Sequence, residues 1–405
     1  MPFNFDEVID RRGTGALAKD GFRPYLFSGQ PPVALPCEDD DALSMWVADM
    51  AFASAPAARQ AMVDRIDRHP IVGYSGTSGS GLQDAFVDWC RARYGWEVDA
   101  DHIVTSRGVV PALYSLAEIY LQPGQTAVTL TPAYGYFRRA PTERNRMFVS
   151  CGLFVDDTGQ HRLDLDDLAS KLARPDVALF YLCHPHNPTG KRFTADELRT
   201  MGELCATHDV LLVSDEIHCD LLRSGLSHTP TATVVPEDTQ IITCMSTSKT
   251  FNLAGLGIAQ IVIPNDELRL KWANWVQPFV NPISLAAAVG VLRDQSGWHA
   301  ELLAYLDGNF AHLKDRLATE LPDARFSVPE ATYLAWIDLS HYFSPEENLT
   351  RHFAESAGLI LEGGDMFVSD AIGWVRLNLA CPRSTLDDGI SRLVAATTGP
   401  ARSMA

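Results

Sequence analysis

The sequence lacks the features that mark a secreted, membrane-bound or disulfide-linked protein. Its first ten residues, MPFNFDEVID, contain no basic stretch and no apolar run, so we expect no secretory signal. The longest apolar stretch, ISLAAAVGVL at 283–292, has about half of the roughly 20 residues that a membrane span needs. The eight cysteines are scattered and form no CxxC pair, which favours reduced core thiols over disulfides or a zinc site. We therefore expect a cytoplasmic protein that does not associate with membranes.

Positive charge is also scarce. The chain has 33 Lys and Arg against 51 Asp and Glu, which gives a net charge of −18 and a pI near 5.0. A surface of this sign repels phosphate backbones, so we expect no nucleic-acid partner. A local site can still bind a small phosphate compound. The acidic segment EDDDA at 38–42 is interpreted as a solvated loop and not as a metal site.

The 405 residues are enough for two domains of a globular protein. From about residue 100, short apolar runs alternate with helical patterns, which predicts βαβ units and a mostly parallel sheet. One helix, TADELRTMGELCATH, begins with a capping box of Thr194 and Glu197. A long helix at 298–321 and two later strands predict a smaller α+β domain. The predicted strands of the first part are 102–106, 126–131, 177–183, 209–215, 240–244 and 257–263.

Polar and aromatic residues follow five of these strands. Ligands of open parallel α/β sheets bind beyond the carboxyl ends of the strands, so we expect these residues to share one site. Gly108 follows the first strand and opens a helix, whose free N–H groups can bind an anion. The other strand ends carry Tyr134, then Asn187, then Asp215, and finally Lys249 with Ser246 and Ser248.

Each of these residues has an ordinary structural explanation: Asn187 as a turn residue, Asp215 as a helix cap, Lys249 as a surface charge. All of them would have to coincide on one edge of one sheet, so we prefer a joint explanation. Pyridoxal phosphate needs an amine, a carboxylate against its pyridine nitrogen, an aromatic ring over its own ring, a donor to its phenolate oxygen and a phosphate cradle. We therefore interpret Lys249 as the Schiff-base residue and as the base that takes the Cα proton.

Three motifs carry a resemblance to a known family. HPHNPTG at 184–190, SDEIH at 214–218 and STSKTFNLAGL at 246–256 resemble the aminotransferase class I/II superfamily of fold-type I enzymes dependent on pyridoxal phosphate (PLP). FDEVIDRRGTG at 5–15 and VRLNLACPR at 375–383 narrow the resemblance to the MalY/PatB subgroup of cystathionine β-lyases, or cysteine C–S lyases. The resemblance thus covers nearly the whole chain.

This resemblance implies an α/β fold of the PLP-dependent transferase fold type I. A large domain with a mostly parallel seven-stranded sheet would bind the cofactor, and a smaller α+β domain would follow it. We place the large domain at 46–285 and the small domain at 286–398. The N-terminal segment 1–45 is expected to pack with the small domain.

The resemblance also implies the role of each site residue. Lys249 would form the Schiff base, and Asp215 would pair with the pyridinium. Asn187 would donate to the phenolate oxygen, and Tyr134 would stack on the ring and assist proton transfer. The remaining cofactor-binding residues would be the backbone of Val109 and Val110, the hydroxyls of Ser246 and Ser248, and His218, which with Ile217 continues the wall of the site.

Two further residues are implied outside the cofactor site. Arg376 would grip the substrate α-carboxylate with its guanidinium fork, although a salt-bridged strand arginine is the alternative. Tyr74 resembles a tyrosine that reaches the cofactor phosphate of a neighbouring subunit, which implies a homodimer with shared active sites. The sequence departs from the family at Ala51, Gly135 and Tyr136, near the substrate pocket, so the natural substrate stays open.

The expected reaction is α,β-elimination of L-cystathionine or another S-substituted L-cysteine to a thiol, pyruvate and ammonia. No metal is expected. The alternatives are an aminotransferase, or a decarboxylating or oxidatively deaminating enzyme that acts on a cysteine conjugate, because the same cofactor residues serve all of these reactions. A regulatory protein that only keeps the fold is disfavoured, since both Lys249 and Asp215 are present.

Overall fold

We describe the protein from a computed structural model, which places residues 3–156, 159–368 and 371–399. Thirteen strands and fourteen α-helices lie within these residues. The strands are β1 (Leu43–Ser44), β2 (Ile103–Ser106), β3 (Thr126–Thr131), β4 (Met147–Val155), β5 (His161–Leu163), β6 (Val177–Cys183), β7 (Leu211–Asp215), β8 (Ile241–Met245), β9 (Ala259–Val262), β10 (Leu334–Asp338), β11 (Leu359–Ile360), β12 (Glu362–Gly363) and β13 (Trp374–Asn378).

The helices follow the strands in most of the chain. They are α1 (Leu17–Asp20), α2 (Phe22–Leu26), α3 (Pro56–Arg68), α4 (Leu82–Tyr94), α5 (Val109–Tyr120), α6 (Tyr136–Thr142), α7 (Leu165–Leu172), α8 (Ala195–Thr207), α9 (Thr247–Thr250), α10 (Asp266–Trp275), α11 (Pro282–Leu292), α12 (Trp298–Glu320), α13 (Leu349–Ala357) and α14 (Arg383–Thr398).

The main sheet has eight strands in the order β2-β9-β8-β7-β6-β3-β4-β5. Strands β8, β7, β6, β3 and β4 pair in parallel, whereas β9 is antiparallel to both of its neighbours. The predicted mostly parallel sheet is therefore confirmed, although it has eight strands and not the predicted seven. The short strand β5 adds an antiparallel edge to it.

Apolar residues cover both faces of the main sheet, because successive side chains of a strand point to opposite sides. Leu179 and Tyr181 of β6 pack on one face with Leu113 and Leu116 of α5. The neighbouring residue Phe180 packs on the other face, in a cluster that includes residues of α7 and α8. Burial on both faces explains why the central strands are apolar throughout.

A second sheet has three antiparallel strands in the order β10-β13-β12. Its outer face packs on α12 and α14, where Phe310, Leu313 and Ile390 are fully buried. The N-terminal segment reaches this region, because β1 pairs in parallel with β11. These contacts accord with the expected packing of residues 1–45, while the domain boundaries at 45 and 285 stay a prediction.

Local sequence explains the best-defined helices. The predicted capping box is confirmed at α8: the Thr194 hydroxyl accepts from the Glu197 backbone N–H at 3.1 Å, and the Glu197 carboxylate accepts from the Thr194 backbone N–H at 2.8 Å. The predicted long helix at 298–321 is α12. In the described parts of the chain, no helix is both long and apolar enough to cross a membrane.

Candidate active site

The carboxyl ends of β2, β3, β6, β7 and β8 meet at one edge of the main sheet and line a cavity there. The three-stranded sheet and the segment at 46–48 close its other side. Nine residues that the sequence analysis assigned to the site, including Ile217, line this cavity. They are Val109, Val110, Tyr134, Asn187, Asp215, Ile217, His218, Lys249 and Arg376.

Lys249 lies in α9, one helical turn beyond the end of β8. Its ammonium group donates to the backbone carbonyl of Ala48 at 2.6 Å, and the Tyr333 hydroxyl donates to the same carbonyl at 2.8 Å. Burial and, after it, the charge of Arg376 lower the pKa of Lys249 to about 8. A buried amine with such a pKa is partly neutral near physiological pH, which is what a nucleophile or base requires.

Asp215 is the last residue of β7 and is only 6% exposed. One carboxylate oxygen accepts from the Ile217 backbone N–H at 3.1 Å. Burial raises the pKa of Asp215 to about 7, against an ordinary value of 3.8. The negative charge of this carboxylate is poorly balanced by the protein, and the group faces a cavity. It therefore suits the cationic ring nitrogen of a bound cofactor.

A hydrogen bond joins Asn187, which follows β6, to Arg376 of β13. The Arg376 guanidinium donates to the Asn187 side-chain oxygen at 2.9 Å and to the Trp46 backbone carbonyl at 3.0 Å. Because the amide oxygen of Asn187 is engaged in this way, its NH₂ group is the part left to donate to a ligand. Arg376 is also ion-paired with Glu362, a cavity residue that the sequence analysis missed.

The helix α5 points its N-terminus into the cavity. Gly108, which precedes it, has φ of +125°, a conformation that L side chains rarely adopt. The first N–H groups of a helix have no partner within it, so Val109 and Val110 present donors suited to a phosphate. Among the residues that the structure describes, the buried Nδ1 of His218 also has no hydrogen-bond partner. Burial lowers the pKa of His218 to about 3, so this ring is neutral.

Three predicted residues do not line the cavity. The Ser246 hydroxyl caps α9 by accepting from the Ser248 backbone N–H at 3.1 Å, and it donates to the Ile258 carbonyl at 2.7 Å. Ser248 follows in the same helical turn. Tyr74 lies on the surface, 94% exposed, with its ring 5.2 Å from the ring of Phe279.

The sequence analysis missed several residues of the site. Glu362, Tyr25 and Trp46 line the cavity, and Ala48 contributes the carbonyl that holds Lys249. Trp46 and Ala48 fall in the segment MWVADMAF at 45–52, from which the sequence analysis singled out only Ala51. Tyr25 and Glu362 come from segments with no signal of their own, and the packing of the chain brings them to the site.

The donor set fits pyridoxal phosphate. An amine, a carboxylate, an amide N–H, an aromatic ring and a helix N-terminus face one cavity, and each matches a different part of that cofactor. The fit rests on Asp215 in particular, because its poorly compensated carboxylate has no other evident function in the core.

Comparison with known proteins gives the same result. The sequence profile described as "Aminotransferase class I and II" matches residues 42–393. The chain is 37% identical to cystathionine beta-lyase PatB of Bacillus subtilis, over 97% of this chain and 99% of that protein. It is 30% identical to protein MalY of Escherichia coli, over 97% and 98% of the two chains. A crystal structure of the PLP-bound C-S lyase from Staphylococcus hominis superimposes with a TM-score of 0.92 at 38% identity and covers 98% of this chain and 99% of that one.

The chain therefore belongs to the aminotransferase class I and II family. The predicted family and fold type are confirmed, and the prediction of a PLP-dependent carbon–sulfur lyase is borne out by these relatives.

Proposed function

We propose that this protein cleaves the Cβ–S bond of L-cystathionine or another S-substituted L-cysteine by PLP-dependent α,β-elimination. With water, the substrate gives a thiol, pyruvate and ammonia. The observation that carries the proposal is the convergence of Lys249, Asp215, Asn187 and Arg376 on one cavity of a chain that is similar along its length to cystathionine β-lyases.

Asp215, Asn187 and the N-terminus of α5 hold the cofactor in this proposal. The Asp215 carboxylate pairs with the ring nitrogen, the Asn187 amide donates to the phenolate oxygen, and the N–H groups of Val109 and Val110 bind the phosphate. Tyr134 stacks on the ring and His218 completes the surround, whereas Ser246 and Ser248, which were also predicted to hold the phosphate, lie outside the cavity lining. When bound, pyridoxal phosphate withdraws electrons from the Cα of an attached amino acid, which makes the Cα proton acidic.

Lys249 and Arg376 act on the substrate. Arg376 binds the α-carboxylate, and Asn187, hydrogen-bonded to it, fixes the orientation of the Cα–H bond towards Lys249. The neutral amine of Lys249 takes the Cα proton, and the electron pair left behind expels the thiolate from Cβ. In this proposal Tyr134 gives a proton to the leaving sulfur. Burial raises the pKa of the Tyr134 hydroxyl well above the ordinary value, so the hydroxyl carries a proton.

We also propose that the protein acts in the cytoplasm as a homodimer with shared active sites. All eight cysteines are free thiols, as expected in a reducing compartment. Tyr74 lies on an exposed apolar patch with Ile71, Val72 and Phe279, where a partner subunit would cover it.

The test is an assay of the purified holoenzyme with L-cystathionine and a panel of S-substituted L-cysteines, in the absence of any 2-oxo acid. We expect release of thiol and pyruvate in equal amounts over many turnovers. Turnover that appears only after a 2-oxo acid is added would identify an aminotransferase instead. Release of carbon dioxide or consumption of oxygen would identify a decarboxylating or oxidatively deaminating enzyme.

A further inference from the structure

Glu362 forms a buried ion pair with Arg376 inside the cavity. The two residues are direct partners of the antiparallel strands β12 and β13, so their side chains share one face of the small sheet. Glu362 is 5% exposed and Arg376 is 2% exposed. Glu362 is thus an anionic group at the place where the substrate α-carboxylate is proposed to bind.

The guanidinium of Arg376 keeps a donor for a second carboxylate, because its buried Nε has no hydrogen-bond partner among the described residues. It already contacts the Asn187 oxygen, the Trp46 carbonyl and the Glu362 carboxylate. A substrate carboxylate at Arg376 therefore brings two carboxylates to one cation in a buried site. Like charges in such a site repel strongly, and the repulsion is relieved when a further positive charge enters with the substrate.

Among the residues that the structure describes, the charged groups around Glu362 do not supply that further charge. Arg376 faces it from β13, Lys249 faces it from α9 and is committed to the cofactor, and Asp365, which follows β12, adds a negative charge. The Asp365 carboxylate is turned towards Thr350 and Asn348, with which it forms hydrogen bonds of 3.0 and 3.2 Å.

Two aromatic rings line the cavity together with Glu362. The rings of Tyr25 and Trp46 lie 4.9 Å apart between centroids. Tyr25 is 36% exposed, so this wall reaches the protein surface. The pKa of the Tyr25 hydroxyl is raised mainly by burial and next by the charge of Glu362. Aromatic faces beside a carboxylate are the chemistry that binds organic cations.

We infer that Glu362, with Tyr25 and Trp46, forms a subsite that selects S-substituted cysteines whose sulfur substituent carries a positive charge. This inference rests on the proposed lyase function. It assigns the substrate class, because the cation of the substituent would balance Glu362 when the α-carboxylate occupies Arg376.

The first test measures binding and does not depend on elimination. L-Lysine and L-2-aminoheptanoate have side chains of equal length that end in an ammonium and a methyl group, and neither has a leaving group at Cβ. We expect the holoenzyme to bind L-lysine at least about tenfold more tightly, as one charge-assisted contact provides, measured by the change in the cofactor absorption spectrum on titration. In Glu362→Gln this preference should fall to about one, and in the control Asp365→Asn it should persist.

The second test uses turnover. S-(2-Aminoethyl)-L-cysteine and S-propyl-L-cysteine differ in the same way, and the ratio of their kcat/KM values should favour the cationic substrate in the wild type and collapse in Glu362→Gln. Equal binding of both ligands by the wild type, or an unchanged preference in Glu362→Gln, would overturn the inference. Equal weakening of both ligands in Glu362→Gln would also overturn it, because Glu362 would then only orient Arg376. Thiol release without a charge preference would refute the subsite alone, whereas a binding preference without thiol release would refute the lyase.

Discussion

At the scale of single residues, Lys249 has the most distinctive environment of the site. Its amine contacts the Ala48 carbonyl and has a pKa lowered to about 8 by burial. We expect Lys249→Ala to abolish turnover and also the visible absorption of the protein-bound cofactor, since no amine remains to bond to it. Absorption spectra of the reconstituted variant measure this, with the exposed Lys271→Ala as the control. A variant that kept the wild-type spectrum would remove Lys249 from the assigned role.

Asp215 leads to a pH-dependent prediction for the cofactor-free protein. The pKa of Asp215 in the folded protein is about 7, above the ordinary value of 3.8 that applies in the unfolded chain. The stability that protonated Asp215 contributes is therefore fully present below pH 3.8 and is lost as the pH rises through 7. The charge of Asp215 therefore costs about 4 kcal/mol of folding free energy above pH 7. We expect cofactor-free Asp215→Asn to be more stable than the wild type at pH 8.

Urea unfolding of both cofactor-free proteins at pH 8 and pH 5 measures this difference. At pH 5 the advantage of Asp215→Asn should shrink to less than half, because Asp215 of the folded wild type is then protonated. The exposed Asp101→Asn should show no such dependence. An advantage that grew towards low pH would contradict the raised pKa. The same charge that destabilises the empty protein is proposed to bind the cofactor, a common trade between stability and function.

The residues found from the sequence alone are those that lie in strand-end motifs. Asn187, Asp215 and Lys249 each follow a continuous apolar strand, and the rule that ligands bind at the carboxyl ends of parallel strands brings them together. Glu362 could not be found in this way, because its position depends on the pairing of β12 with β13. The pattern of apolar and polar residues does not determine which distant strand becomes a neighbour.

At the scale of elements, the segment after β7 is held by a buried polar network. The Glu216 carboxylate accepts from the Ser214 hydroxyl at 2.9 Å, the Thr231 backbone N–H at 2.9 Å and the His228 ring at 2.6 Å. This network fixes the turn that carries Asp215, Ile217 and His218. It is therefore the scaffold of one side of the cavity.

We expect Glu216→Ala to lower the free energy of unfolding by about 3 kcal/mol or more, because it leaves buried donors without a partner. Chemical denaturation of the holoenzyme measures the change. Glu203→Ala on the exposed side of α8 should alter stability by less than about 0.5 kcal/mol. A loss in Glu216→Ala no larger than that of Glu203→Ala would show that solvent or neighbours replace the network.

The elements themselves were predictable where they are fully buried. All six predicted strands of the large domain are present, with ends shifted by two residues or fewer. The strands β4 and β5 were missed. β4 is partly exposed, and Ser150 and Gly152 interrupt its run of apolar residues. β5 has only three residues at the edge of the sheet, so neither strand carries a continuous apolar run.

At the scale of the whole molecule, a single chain exposes apolar side chains next to Tyr74, the residue predicted to serve the active site of the partner subunit. Ile71 is 80% exposed, Val72 is 58% exposed and Tyr74 is 94% exposed, and the half-exposed ring of Phe279 contacts the ring of Tyr74. Exposed apolar side chains that group in this way are typical of protein interfaces, which supports the proposed homodimer. In a two-fold dimer this surface would meet its own copy or the rim of the partner's cavity.

If Tyr74 serves the active site of the partner subunit, inactive variants should restore each other. Lys249→Ala and Tyr74→Ala, each unfolded and refolded alone, should have little activity. Refolded together, half of the dimers are hybrids, and each hybrid has one site with Lys249 from one chain and Tyr74 from the other. One intact site in half of the dimers gives about a quarter of the wild-type activity under random two-fold pairing. If Tyr74 serves its own chain, or serves no site, the mixture should be no more active than the average of the two variants, so the recovered activity itself decides whether the active site is shared.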